Sequence, residues 1–224
     1  MEETTISNKK VLYQSDPHHL WVAVGDSHLQ LLSHWFNGAG AASFAISGGT
    51  IWHAEKILES FNFLSTGMQA YFLLIGGNDL DQKHVLPIEV VGRKVGLVRK
   101  VLQKRPYAVV VTMTVIPRTS EAEPAKGDWF IRRVEMLDQN MTAAGPGHHH
   151  LITDAYISES ISTYGPAQPR VELMAADRIH LNLDGRVMLQ SILDFAFSSV
   201  AENSFKGTRE IICRGERRFA FWRF

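Results

Sequence analysis

The chain predicts an α/β protein, a three-layer α/β/α sandwich around a mainly parallel five-stranded sheet. Short apolar runs recur along it, the first three end in glycine and small polar residues, and stretches with helical spacing separate the runs. Parallel neighbours need crossover connections, and helices between the strands supply them.

The first run, Leu20 to Val24, is apolar enough to be buried on both faces and stops at Gly25-Asp26-Ser27. Leu29, Leu31, Leu32, Trp35 and Phe36 then follow at helical spacing, and Phe36-Asn37-Gly38-Ala39-Gly40 closes that helix. Ala42 to Ile46 reads as a second strand entering Ser47-Gly48-Gly49-Thr50, and Thr50 to Phe63 as a helix with Ile51, Ile57, Leu58 and Phe61 on its apolar side. Tyr71 to Ile75 is the third strand and runs into Gly76-Gly77-Asn78-Asp79. Pro87 to Gln103 has helical spacing, with Arg93, Lys94, Arg99, Lys100 and Lys104 read as its solvated face.

Ala108 to Val115 is the most β-branched strand and is closed by Ile116-Pro117-Arg118; residues 118–127 read as a polar loop long enough to border a cleft. A helix over Asp128 to Met141 and the turn Gly145-Pro146-Gly147 lead to a fifth strand, His148 to Thr153. Its three adjacent histidines point alternately to opposite faces, so they do not converge on one metal ion and read as a partly exposed strand start. Residues 155–176 look irregular, with Gly165-Pro166 and Gln168-Pro169. Asp177-Arg178-Ile179-His180-Leu181 and Asp184-Gly185-Arg186 then precede a last helix through Val187, Leu189, Ile192, Leu193, Phe195 and Phe197.

With 224 residues, 45% of them hydrophobic, the chain forms one domain, placed at 20–202 between a polar arm (1–19) and a tail (203–224). In the tail, Arg209 to Cys213 and Arg217 to Phe224 flank Arg214-Gly215-Glu216 as a β-hairpin carrying Phe219, Phe221, Trp222 and Phe224. That basic, aromatic surface suits packing on the body or on a second subunit, and its composition would also stack on single-stranded nucleic acid. Lysine plus arginine equals aspartate plus glutamate at 23 each, so the overall charge argues for neither a nucleic-acid nor a membrane partner. The single cysteine, Cys213, excludes an internal disulfide and suits a reducing compartment. Met1 to Lys10 lacks the apolar centre of a signal peptide and no apolar run approaches the length of a membrane span, so the expected location is cytoplasmic.

In a parallel sheet the strand ends share one rim, where ligands bind. Ser27, Gly48 and Asn78 fall on that rim, and Asp177 and His180 reach it from the loop before the last helix. Alone, Gly-Asp-Ser reads as a Ser or Asp helix cap. With the other residues it fits acyl transfer: serine attacks only when a base takes its proton, histidine does so near neutral pH, and a carboxylate holds the imidazole. Ser27 is then the nucleophile, His180 the base and Asp177 its orienting acid, while the Ser27 and Gly48 N–H groups and the Asn78 amide supply oxyanion donors. His28, Trp52, His53 and Arg118 are the candidates for lining a substrate cleft. No metal or cofactor is required, and activity should fall below about pH 6, where a histidine base is protonated. The lipase-type Gly-x-Ser-x-Gly elbow is absent, since Leu29 takes its last position.

Four blocks in order, Gly25-Asp26-Ser27, Ser47-Gly48-Gly49-Thr50, Gly76-Gly77-Asn78-Asp79 and Asp177-Arg178-Ile179-His180, resemble those of the SGNH or GDSL-type hydrolases. The resemblance implies a flavodoxin-like sandwich and metal-free hydrolysis of short- to medium-chain esters or thioesters. It assigns the same roles to Ser27, Asp177, His180, Gly48 and Asn78, with Gly49 as a substitute for Gly48. His28 departs from the aliphatic residue usual in the family, and Ser43-Phe44-Ala45 lacks its upstream asparagine. The Thr114-Val115-Ile116-Pro117-Arg118 loop and the run after Asp128 are similar to esterase domains encoded by animal retrotransposons. That likeness implies an enzyme beside a nucleic-acid-binding apparatus or a lipid surface. Carbohydrate deacetylation, acyl transfer to another acceptor, and a non-catalytic binding or assembly module are the competing readings.

Overall fold

A computed structural model describes residues 21–38, 41–60, 70–119, 125–141, 147–153, 156–158, 168–203 and 211–213. The polar arm, residues 61–63 of the second expected helix, the loop 120–124 and the aromatic end of the tail lie outside them.

Five of the short runs become parallel strands: β1 (Trp21–Gly25), β2 (Ala41–Ala45), β3 (Ala70–Leu74), β4 (Val109–Met113) and β5 (His148–Thr153). They lie in the order β2-β1-β3-β4-β5, every pair parallel. Helices follow them: α1 (Ser27–Leu31) and α2 (Ser33–Gly38) after β1, α3 (Ile51–Ser60) after β2, α4 (Gly77–Leu80) and α5 (Pro87–Lys104) after β3, and α6 (Ala125–Met141) after β4. A two-stranded antiparallel pair, β6 (Ile157–Ser158) and β7 (Gln168–Pro169), precedes α7 (Leu183–Asn203). A sixth strand, β8 (Ile211–Cys213), extends the sheet in parallel beside β5. The first arm of the expected tail hairpin therefore joins the central sheet, and the second arm lies outside the described residues.

Alternation along the strands divides the core in two. Val22, Val24, Tyr71, Leu73 and Val110 face α3, α5 and α6, where they meet Ile57, Leu58, Val98, Val101, Phe130 and Leu137. Ala23, Phe72, Leu74, Val111 and Met113 face the other way, against Leu29 of α1 and Leu189, Ile192 and Leu193 of α7. The sheet is thus covered on both faces, as a parallel sheet requires.

Two expectations are corrected in the first of these layers. Lys94, read as part of a solvated face, is fully buried. It lies four residues from both Val90 and Val98, on the apolar side of α5, and its Nζ donates to the Met113 carbonyl at 3.1 Å. Burial lowers its pKa to about 8, opposed by the charges of Asp138, Asp79 and Asp26. The histidines of β5 are likewise no exposed strand start, for all three are buried. His148 and His150 both bond Thr112 Oγ1 at 2.8 Å, and His150 Nε2 lies 2.9 Å from Asp138 Oδ1, which completes a polar network under α6. Among the described residues no group of three His, Cys, Asp or Glu is placed to hold a metal ion.

Burial, aided by His150, Lys94 and His149, lowers the pKa of His148 from 6.5 to about 3. The unfolded chain therefore takes up this proton first, so the stability present above about pH 6.5 is lost as pH falls toward 3. Asp138 of α6, bonded to His150, and Lys94 of α5 are the other charged groups packed on the network. Thermal unfolding of the protein should shift downward from pH 7 to pH 4, and less steeply in His148→Leu. Equal slopes in the two proteins would contradict a role for His148.

Candidate active site

Each strand on the active rim ends in a turn tied to its neighbour. The Asp26 N–H donates to the Leu74 carbonyl at 3.2 Å and the Ile46 N–H to the Gly25 carbonyl at 3.1 Å. Asn78 Nδ2 donates to the Gly49 carbonyl at 2.8 Å, and the Ile51 N–H at the start of α3 donates to Asp79 Oδ2 at 3.0 Å. The Gly-Asp-Ser, Ser-Gly-Gly-Thr and Gly-Gly-Asn-Asp segments are thereby fixed to one another before any ligand arrives.

Asp26 and Ser27 divide between them the two readings of their segment. Asp26 is the helix cap, its side chain accepting from the His28 N–H at 3.0 Å. Burial pushes the Asp26 carboxyl up, but its bonds to His28 outweigh this and hold its pKa below the ordinary value. Ser27 begins α1, and its Oγ lies 3.0 Å from His180 Nε2.

His180 comes from a stapled loop. Met174 and Leu181 form an antiparallel bridge, the Ala175 N–H donates to the His180 carbonyl at 2.7 Å, and the Asn182 N–H to the Leu173 carbonyl at 3.0 Å. Arg178 turns the chain at φ +57°. Inside the loop, Asp177 Oδ1 accepts from the backbone N–H groups of Ile179 and His180 at 3.0 and 2.9 Å, while its Oδ2 lies 2.5 Å from His180 Nδ1. Desolvation raises the pKa of Asp177, but the bonds from the His180 ring and these two N–H groups prevail and bring it to about 2. Asp177, His180 and Ser27 form one hydrogen-bonded line that runs from solvent to a buried serine, with 47% and 37% side-chain exposure for Asp177 and His180.

The remaining rim residues have distinct surroundings. Gly48 is exposed, whereas the Gly49 N–H is committed to the Ile46 carbonyl at 2.9 Å and is no donor to a ligand. The Asn78 amide bridges Gly49 and Arg118, whose Nη1 donates to Asn78 Oδ1 at 2.9 Å. His28 and Arg118, expected on a cleft wall, are buried, and they border a small pocket with Asp26, Gly77 and Thr114. The His28 ring spans Asp26 and the Ile179 carbonyl, at 3.2 and 3.1 Å, so it braces the His180 loop against α1. Trp52 remains open at 59% exposure in the first turn of α3; His53 beside it accepts from the Thr50 N–H at 3.1 Å and so caps that helix.

Sequence reasoning missed Arg133. Its guanidinium donates to the carbonyls of Leu80, Gln82 and Val85, behind the Asn78 turn, and stacks on Trp129 at 4.6 Å. Its place in α6, one turn after Trp129 and beside Phe130, was the available signal.

The chain shares its fold with solved GDSL-like lipases and acylhydrolases. The similar solved structures include a Streptococcus pneumonia protein named for platelet activating factor, 18% identical with a TM-score of 0.69 over 87% of this chain and 91% of that one. A GDSL-like lipase of Bacteroides thetaiotaomicron is 12% identical with a TM-score of 0.67, covering 88% of this chain and 97% of the other. The psychrotrophic esterase EstA of a Pseudoalteromonas species is 14% identical, TM-score 0.52, over 82% of this chain and all of that one. No family model and no curated protein matches the sequence.

Proposed function

We propose that the chain is a serine esterase that cleaves short- to medium-chain carboxylic esters or thioesters through an acyl-enzyme on Ser27. The observation that carries this reading is the line Asp177–His180–Ser27, at 2.5 and 3.0 Å, beside the Asn78 amide on the same rim. Ser27 Oγ attacks the acyl carbon and its proton passes to His180 Nε2. The oxyanion is held by the Ser27 and Gly48 N–H groups and by the second hydrogen of Asn78 Nδ2. Collapse breaks the bond to the alcohol or thiol, which leaves with the proton from His180. Water activated by the same ring then frees the acid and restores Ser27. The lipases and esterases among the structural neighbours support the reading at the level of fold.

Hydrolysis of p-nitrophenyl esters of increasing chain length by the wild type and Ser27→Ala tests it. Ser27-dependent turnover with an optimum among short or medium acyl chains is expected. A folded protein inactive on every ester would instead be a binding module on this fold.

With a pKa of about 2, Asp177 stays ionised at any working pH; its contribution is present above the ordinary carboxylate value of 3.8 and lost as pH falls through 2. Asp177→Asn should lower kcat by about 10²- to 10⁴-fold through the wrong imidazole tautomer, with KM little changed. Its exposure to water places the effect below that of losing His180. An Asp177→Asn protein with wild-type kcat would remove the residue from the mechanism.

A further inference from the structure

The Asn78 amide has a chemically determined orientation. Arg118 offers only donors and the Gly49 carbonyl only accepts, so the 2.9 Å bond from Arg118 Nη1 places Oδ1 on the guanidinium side and the 2.8 Å bond places Nδ2 against Gly49. The flipped amide would set NH₂ against guanidinium and oxygen against carbonyl oxygen. With one Nδ2 hydrogen on Gly49, the other is left for a ligand on the rim.

Arg118 is itself tightly placed. It is 3% exposed, its guanidinium lies 5.8 Å from the Phe130 ring, and Asp81 Oδ2 lies 3.7 Å from Nη1 as its nearest counter-charge. Asp81 also pairs with Lys126 Nζ at 3.0 Å. Nη2 crosses the backbone at Gly77 so closely that a Cβ there would stand 2.8 Å from it, so glycine at 77 is what admits the guanidinium. A buried cation bonded to an amide oxygen polarises that amide and makes its N–H groups stronger donors.

We propose that Arg118 is a positioning residue for the oxyanion site: it locks the Asn78 amide with Nδ2 toward the developing negative charge and strengthens that donor. This deepens the acyl-transfer reading above and rests on it. Arg118 touches no reacting atom and takes no proton. Its effect passes through Asn78 and belongs to kcat, because the oxyanion exists only after attack.

A double-mutant cycle tests the proposal, with kcat and KM for a short p-nitrophenyl ester measured in the wild type, Arg118→Met, Asn78→Ala and the double variant. Arg118→Met should lower kcat by about 10- to 100-fold with KM within about twofold, somewhat less than loss of an oxyanion donor outright. In the Asn78→Ala background the same replacement should change kcat by less than about threefold, since no amide remains to be held. Arg118→Lys keeps a donor and the buried charge, so it should recover part of kcat in the Asn78 protein and none in Asn78→Ala. It carries the test if Arg118→Met does not fold. Equal losses in both backgrounds, or an effect confined to KM, would overturn the proposal while leaving Ser27-dependent hydrolysis intact. A folded wild type without Ser27-dependent turnover would overturn both readings together.

Discussion

Alanine in place of His180 lowers kcat for ester hydrolysis by about 10⁴-fold or more and leaves the thermal transition nearly where it was. Without the ring, Ser27 Oγ keeps its proton and the leaving group has no donor, so both halves of the reaction slow. The side chain is 37% exposed, and its bonds are to Asp177 and Ser27, so its removal opens no core cavity. Rate measurements with a melting curve on the same preparation check this. A fall of less than tenfold in a folded His180→Ala protein would mean that another group takes the Ser27 proton.

Gly185→Ala is expected to do the most damage to the framework. A Cβ at Gly185 would stand 2.3 Å from the Leu173 carbonyl oxygen and 3.0 to 3.1 Å from the Leu181 side chain. That carbonyl already accepts from the Asn182 N–H at 3.0 Å, and the Gly185 carbonyl accepts from the Tyr156 hydroxyl at 3.1 Å, so neither side yields freely. Forced separation should cost about 1–3 kcal/mol, lowering Tm by about 2–4 °C for each kcal/mol. Leu173, Met174 and Leu181 also frame the loop that carries Asp177 and His180, so kcat should fall with stability. A stable Gly185→Ala protein with full activity would show that the loop is held elsewhere.

The first three strands were legible because each is a short apolar run that enters a glycine-containing turn, and the rim because parallel strands put their ends together. Ser27 and His180, 153 positions apart, met through that topology alone. Lys94 was misread from its charge. Its spacing from Val90 and Val98 already placed it on the apolar stripe, and the Met113 carbonyl together with the charges of Asp138, Asp79 and Asp26 offsets its burial there. The β5 histidines looked like a strand start because their shelter is assembled from distant parts: α6 supplies Asp138 and β4 supplies Thr112. Arg118 belongs to the same class. Its proximity to Asn78 depends on how β3 and β4 end side by side, and no local pattern around Arg118 encodes that partner.

Covalent labelling with a fluorophosphonate, followed by intact mass and peptide mapping, examines the nucleophile itself without assuming a substrate. One adduct per chain is expected on Ser27, absent from Ser27→Ala and slow to form in His180→Ala. An adduct on a different residue, or none on the folded wild type, would contradict an activated serine at position 27.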